Sequence, residues 1–388
     1  MAVSFLAYEL SELCLGKPPL RSVSTSATIA EAIDVLRSSG ESFVSVWQCD
    51  HSEFGRCECV GKICMVDVIC FLCKEESLLC PSSALKASVS QVLPRVHDLV
   101  VHLEPSSSLL EAIDLILKGA QNLVVPILPT KRGGNSRRKQ QQKSLAINSH
   151  NGVEFCWLTQ EDVIRFLLGS IGLFTPLPAL SIDALDIIDS DVLAIDYYSP
   201  ASSAVEAISK SLTEQTSVAI VDNDGTFIGE ISPFTLAYCD ETVAAAITTL
   251  SAGDLMSYID CGGPPEDLVR IVKARLKEKN LEKMLEEFTI LTSLTGEVSA
   301  SSSSDEETPT RNAARSLKYS RSSSFSPRFV RKAEAIVCHP KSSLIAVMIQ
   351  AIAHRVNYLW VIEDDCSLVG IVTFSNILKV FRDHLEII

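Results

Sequence analysis

One pattern occurs four times along this chain. TIAEAIDVL begins at Thr28, SLLEAIDLI at Ser108, SAVEAISKS at Ser203 and SLIAVMIQA at Ser343. Each reads as a helix start. A Ser or Thr stands at the capping position, and in three of the four Glu31, Glu111 or Glu206 follows three residues later, the pairing of a capping box. Apolar residues then recur at helical spacing. Pro105, Pro200 and Pro340 each stand three residues before their serine. A pattern repeated at this scale predicts four copies of one supersecondary unit.

After each helix comes a short apolar run: Phe43–Trp47, Leu123–Ile127, Val218–Val221 and Leu359–Ile362. A turn follows, clearest in Asp222-Asn223-Asp224-Gly225 and Glu363-Asp364-Asp365-Cys366, then a second strand (CVGKIC, FCWLT, FIGEIS, LVGIVT) and a second helix. The unit is strand, helix, strand, strand, helix. About 60 residues in that order cannot close a core alone, so the units are expected to pair. The stretches from Glu206 to Thr235 and from Ala346 to Asn376 are nearly equal in length. Those from Glu31 to Asp67 and from Glu111 to Asp162 are longer, because of a Cys-rich loop near 49–58 and a basic loop at 129–152. The repeats are expected at 11–75, at 88–170, at 180–240, and at 251–260 joined with 334–384. A helix is expected over 264–290. A Ser-rich tract at 298–330 has the composition of a disordered linker.

A β-α-β-β-α unit ending in G-h-h-T-x-x-D/N resembles the CBS domain, most clearly in LVGIVTFSNIL and next in FIGEISPFTLA. The whole layout resembles the plant CBS-domain-only proteins of the CBSX type, in their four-repeat branch. It is also similar to the γ subunit of AMP-activated and SNF1-related kinases. The resemblance implies an α/β fold in which four CBS repeats pair as two Bateman modules. It implies a non-catalytic regulator that senses an adenosine-containing ligand such as AMP or ATP and modulates a protein partner, or else a ligand-free scaffold acting through protein contacts alone. The implied partners are a SNF1-related protein kinase or a thioredoxin, and the chain is expected as a monomer or a homodimer. No cofactor is required.

In such repeats the motif hydroxyl and acid sit at a strand end and the next helix start, where they suit ribose and phosphate. The matching residues here are Thr159 and Asp162 in repeat two and Thr373 and Asn376 in repeat four. Repeat one keeps Asp67 but has Cys64 in place of the hydroxyl. Repeat three keeps Ser232 but has Thr235 in place of the acid. Asp67, Asp162 and Thr235 equally suit plain capping of the helix that follows. The basic residues that γ subunits carry before the second strand are absent at Ser42-Phe43, Gln121-Asn122, Thr216-Ser217 and Asn357-Tyr358. His354-Arg355 lies three residues too early.

Charge and motifs exclude other classes. A net charge of −14 leaves no basic face for nucleic acid, although Lys131, Arg132, Arg137, Arg138, Lys139 and Lys143 form a local basic run. The mean hydropathy of +0.23 is high. Even so, the best apolar stretch, 165–183, is interrupted by Gly169, Gly172, Pro176 and Pro178 and is too short to span a membrane. The N-terminus has no basic leader, which predicts a cytoplasmic protein, with the nucleus also open. No P-loop, GxSxG, HExxH or kinase signature occurs, so no enzyme is expected. Of the 13 cysteines, eight precede residue 81. Cys70 and Cys73 read as buried helix residues. Cys49, His51, Cys57 and Cys59 are ligating types with no recognisable zinc-finger spacing, so no metal is predicted, and zinc stands as the alternative to free thiols. Ser324 and Ser326 are candidate phosphorylation sites.

Overall fold

The four repeats fold into four three-stranded sheets. The computed structural model describes residues 8–49, 57–94, 98–127, 149–260, 265–296 and 334–387. Strands β1 (Ser22–Ser24), β2 (Phe43–Cys49) and β3 (Cys57–Cys64) form the first sheet, and β4 (Val100–His102), β5 (Asn122–Pro126) and β6 (Phe155–Thr159) the second. The third holds β7 (Ala194–Asp196), β8 (Val218–Val221) and β9 (Phe227–Ile231). The fourth holds β10 (Val337–Cys338), β11 (Tyr358–Ile362) and β12 (Leu368–Thr373). In every sheet the first strand runs parallel to the second and the second antiparallel to the third. The parallel pair needs a crossover, which the helices Ile29–Ser39, Leu109–Leu117, Val205–Glu214 and Leu344–His354 supply.

The helix starts follow the sequence at Thr28, Ser108 and Ser343, whose Oγ accepts from Ala346 N (3.4 Å), and depart from it in repeat three. Glu31 N donates to Thr28 Oγ1 (3.2 Å) while Thr28 N donates to Glu31 Oε2 (2.8 Å), a complete capping box. Ser108 Oγ accepts from Glu111 N (3.2 Å). In repeat three a 3-10 turn, Ala201–Ala204, begins directly after Pro200. Ser203 therefore lies inside the turn and donates to Pro200 O (2.7 Å) instead of capping. His354 and Arg355 close their helix, Arg355 with φ 55°, so this pair ends a helix and does not flank the second strand.

Two kinds of contact join the repeats. Sheets one and two face each other through Leu20, Trp47, Cys59 and Val124, and sheets three and four through Ala219, Tyr358, Trp360 and Ile371. The helical faces pair differently. Repeat one packs on repeat three, for example through Ile69, Leu72, Ile208 and Leu236. Repeat two packs on repeat four through Ile113, Leu167, Val347 and Phe381. The middle strand of each sheet is thus covered on both sides, which is why β5 and β11 read as unbroken apolar runs.

The segments leading into the repeats change places within each module. Leu10 N donates to Ser107 O and Leu109 N to Tyr8 O, docking the lead-in of repeat one on repeat two. Ile29 N donates to Ala87 O, returning the lead-in of repeat two to repeat one. Ile182 N to Ser342 O and Ala252 N to Ser199 O repeat the exchange between repeats three and four. Residues 251–260, expected with repeat four, therefore pack on repeat three, as helix Ala252–Asp260.

The motif glycine seats these exchanged segments. A Cβ at Gly61 would meet Leu93, at Gly229 Met256, and at Gly370 the backbone of Asp189. At the matching position in repeat two, Cys156 instead packs with Cys14 of the exchanged segment.

The helix expected over 264–290 is two helices, Glu266–Glu278 and Glu282–Gly296, separated where Asn280 turns left-handed (φ 56°). Their buried face (Val272, Leu276, Met284, Phe288) covers the layer formed by repeats one and three. Arg275 Nη1 and Lys279 Nζ donate to Thr249 O and Thr248 O (both 2.6 Å), satisfying carbonyls at the end of helix Val243–Thr249 where positive charge is favoured. Cys70 and Cys73 lie on and just after helix Met65–Leu72. Burial pushes both thiols up, Cys73 to about 12. No described helix is long and apolar enough to cross a membrane. The basic run at 131–143, His51, and Ser324 and Ser326 with their Ser-rich tract lie outside the described residues.

Candidate functional site

Thr159 is the N-cap of helix Gln160–Gly169 and Asp162 its third residue. Asp162 Oδ2 accepts from Thr159 N and Thr159 Oγ1 (both 2.8 Å), and Asp162 N donates back to Thr159 Oγ1 (3.3 Å). The other oxygen, Oδ1, is paired at 2.6 Å with Lys17 Nζ, which arrives on the exchanged lead-in. Both partners are about three-quarters shielded, so this pair is stronger than an open surface bridge. In repeat four Thr373 N donates to Asn376 Oδ1 (2.9 Å) and Asn376 N to Thr373 Oγ1 (3.2 Å), the same reciprocal cap. In repeat one Asp67 Oδ2 accepts from Cys64 N (2.8 Å), and burial raises the Asp67 carboxyl above its usual range. In repeat three Ser232 is buried. Its Oγ accepts from Phe234 N (3.2 Å) and shares a hydrogen bond with Tyr358 Oη (3.0 Å). Each predicted site residue therefore already holds a structural partner.

Between the sheets each module carries one charged side chain two positions before a motif position, Cys64 in the first module and Ser232 in the second. In the first module this is Lys62, whose Nζ donates to buried Asn122 Oδ1 (2.6 Å) and lies 5.1 Å from the Phe43 ring. Burial brings its ammonium down to about 8. In the second module it is Glu230. Its Oε2 accepts from Tyr358 Oη (2.8 Å) and Trp360 Nε1 (2.7 Å), and all three side chains are buried. Aromatic side chains thus fill the sheet interface of repeats three and four.

One cleft, of about 400 Å³, lies at the edge of that interface. Its walls are Phe227, Ile228 and Gly229 of β9, Met256 and Asp260 of helix Ala252–Asp260, and Glu334, Ala335 and Val337 leading into β10. None of the six predicted site residues lines it. Asp260 Oδ1 is buried with no hydrogen-bond partner among the described residues. Burial, aided by Glu230, pushes its carboxyl up to about 6. Among the described residues the lining holds two carboxylates and no cation. A space of this size, largely apolar with a few convergent polar groups, suits a small ligand.

Comparison with known proteins places the chain. It is 53% identical over 398 residues to the CBS domain-containing protein CBSX5 of Arabidopsis thaliana, covering 100% of this chain and 99% of that one. The chain belongs to the CBS-domain-containing proteins. The CBS domain model itself matches residues 330–383, the fourth repeat. The CBS domain-containing protein CBSX6 of the same plant is 28% identical over 430 residues, covering 97% of this chain and 94% of that one. Among solved structures, protein MJ1225 of Methanocaldococcus jannaschii shares the fold. Its TM-score is 0.53 at 15% identity, over 96% of this chain and all of that one. This is a regulatory family, and the four sheets are its CBS repeats.

Lys17, Glu230 and Asp260 escaped the reading of the sequence. Lys17 had no signal, because its partner is far along the chain. Glu230 had one, a charged residue inside an otherwise apolar β9.

Proposed function

We propose that this chain is a non-catalytic regulator that binds a cationic adenosyl ligand in the cleft between CBS repeats three and four and transmits its occupancy to a protein partner. The adenosyl class follows from the family resemblance. The charge preference follows from the cleft, whose lining among the described residues carries Asp260 and Glu334 and no cationic side chain, a poor seat for phosphates and a good one for a sulfonium or ammonium group. The cleft with its unpartnered Asp260 oxygen is the observation that carries this reading. The ligand acts by its differential affinity for two conformations, and a partner senses it by linkage. A SNF1-related kinase or a thioredoxin is the partner class that the resemblance implies.

Calorimetry tests this with S-adenosylmethionine, methylthioadenosine, AMP and ATP. S-adenosylmethionine is expected to bind most tightly, and Ala335→Trp, which fills the cleft, to abolish binding. Asp260→Asn is expected to weaken S-adenosylmethionine about tenfold, roughly 1.4 kcal/mol, and to leave uncharged methylthioadenosine unchanged. Because the Asp260 carboxyl sits near 6, affinity for the cation should be full at pH 7.5 and fall as the pH drops through 6 and the carboxylate takes up its proton. Failure of all four ligands to bind folded protein would leave the scaffold reading.

A second reading keeps the ligand at Thr159 and Asp162, and the Lys17 ion pair supplies its test. If Lys17→Ala confers AMP binding that wild type lacks, Asp162 is a ligand site held closed by its own chain.

A further inference from the structure

At the far end of the first module three soft ligating atoms converge from two repeats. Cys49 and Cys57 are register partners at the open end of the β2–β3 ladder. His150 comes from repeat two, on a tight hairpin: His150 N donates to Val153 O (2.9 Å), Val153 N donates to His150 O (3.0 Å), and Asn151 and Gly152 carry φ of 52° and 78°. Two left-handed residues in an Asn-Gly pair make this a type I′ turn, a rigid carrier. The two Sγ atoms and a ring nitrogen of His150 lie within 4.8 Å of one another, with Cys49 Sγ to His150 Nδ1 at 3.4 Å.

We propose that Cys49 Sγ, Cys57 Sγ and His150 Nδ1 bind one zinc ion, supplying three of its four tetrahedral positions. Zinc bound at about 2.3 Å from sulfur and about 2.0 Å from nitrogen sets S···N separations of about 3.5 Å, so the observed spacing needs little movement. The second layer is in place. His150 Nε2 lies 3.1 Å from Ser22 Oγ, and the tautomer that donates there leaves the Nδ1 lone pair facing the thiols. Trp47 stacks on the imidazole with centroids 3.6 Å apart and planes 8° apart, fixing the ring. Cys57 Sγ also lies 3.3 Å from Asn151 Oδ1, an amide that can turn its NH2 toward a thiolate. Zinc takes its sulfur ligands as thiolates, so binding displaces the thiol protons: two S–H bonds break, two Zn–S bonds form, and the protons leave to the buffer. Cys59 is not part of the set. Its thiol donates to Gly61 O (3.4 Å), and burial pushes it up to about 12. The ligand pair that the sequence offers is thus completed across the repeat boundary.

The test uses the full chain, reduced and purified without chelator. Zinc analysis, titration against a chromophoric chelator, proton release in weak buffer, and the absorption of the cobalt-substituted protein are read together. The expected result is one zinc per chain, about two protons released per ion, and a cobalt spectrum with thiolate charge-transfer bands in a tetrahedral field. Cys49→Ser, Cys57→Ser and His150→Gln should each lose stoichiometric zinc while keeping the wild-type far-UV circular dichroism. Ser22→Ala should lower affinity about tenfold, and Cys59→Ser should leave it unchanged. No zinc uptake by folded, reduced protein at micromolar zinc overturns the proposal, as does zinc that survives all three ligand substitutions. A Cys49–Cys57 disulfide whose reduction restores no zinc binding overturns it too.

Discussion

Trp360→Ala is expected to cost the protein about 4 kcal/mol, measured by denaturant unfolding of the full chain. Trp360 is fully buried between the sheets of repeats three and four, with the rings of Phe227 and Tyr358 at centroid distances of 5.3 and 5.9 Å. Truncation opens a cavity and also removes the indole N–H from Glu230 Oε2. A buried carboxylate that loses one of its donors costs more than the hydrogen bond returned when it formed. Trp360→Phe separates the two effects. It keeps most of the volume and should cost about 2 kcal/mol, the share of a hydrogen bond to a charged group. A loss below about 1 kcal/mol for the alanine variant would mean that this interface does not hold the second module together.

The second large effect is expected at Gly370. A Cβ there would stand 2.4 Å from Asp189 O and 2.8 Å from Ile188 Cγ2. Asp189 and Ile371 exchange both backbone hydrogen bonds at 2.9 Å, so the lead-in of repeat three lies flat against β12. Backbone cannot give way as a side chain does. Gly370→Ala should therefore cost about 3 kcal/mol or more and detach that segment, which hydrogen exchange at Asp189 and Ile371 would report. Gly229→Ala makes the contrast. Its Cβ meets the sulfur of Met256, the far end of a flexible side chain, and the cost should stay near 1 kcal/mol. Equal losses at the two glycines would refute the account of what the motif glycine does.

What could be read along the sequence was local. The capping residues Thr28 and Ser108, the apolar strands and the motif ends each announce themselves within a few residues, and together they give the repeat and its β-α-β-β-α order. Cys156 looked like a lapse from the motif; the structure makes it the one copy of the seat whose exchanged segment offers a thiol, Cys14. What stayed hidden depends on which repeat meets which. Lead-in exchange brings Lys17 to Asp162, helix packing sets repeat one on repeat three, and the Asn151-Gly152 turn delivers His150 to a hairpin in another repeat. Such contacts join residues far apart in the chain, and no periodicity encodes them. The motif residues show the converse. Thr159 and Asp162 are legible because their pattern is strict, yet the same pattern describes a helix cap, and only the position of Lys17 shows that the second carboxylate oxygen is taken as well.

The central claim is that ligand enters between repeats three and four and not at the strand-end motifs. Hydrogen exchange of the full chain with and without saturating S-adenosylmethionine tests it most directly. Protection concentrated in 227–229, 252–260 and 335–338 is the predicted result. Protection centred on 159–162 or 373–376, with the cleft segments unchanged, would contradict it.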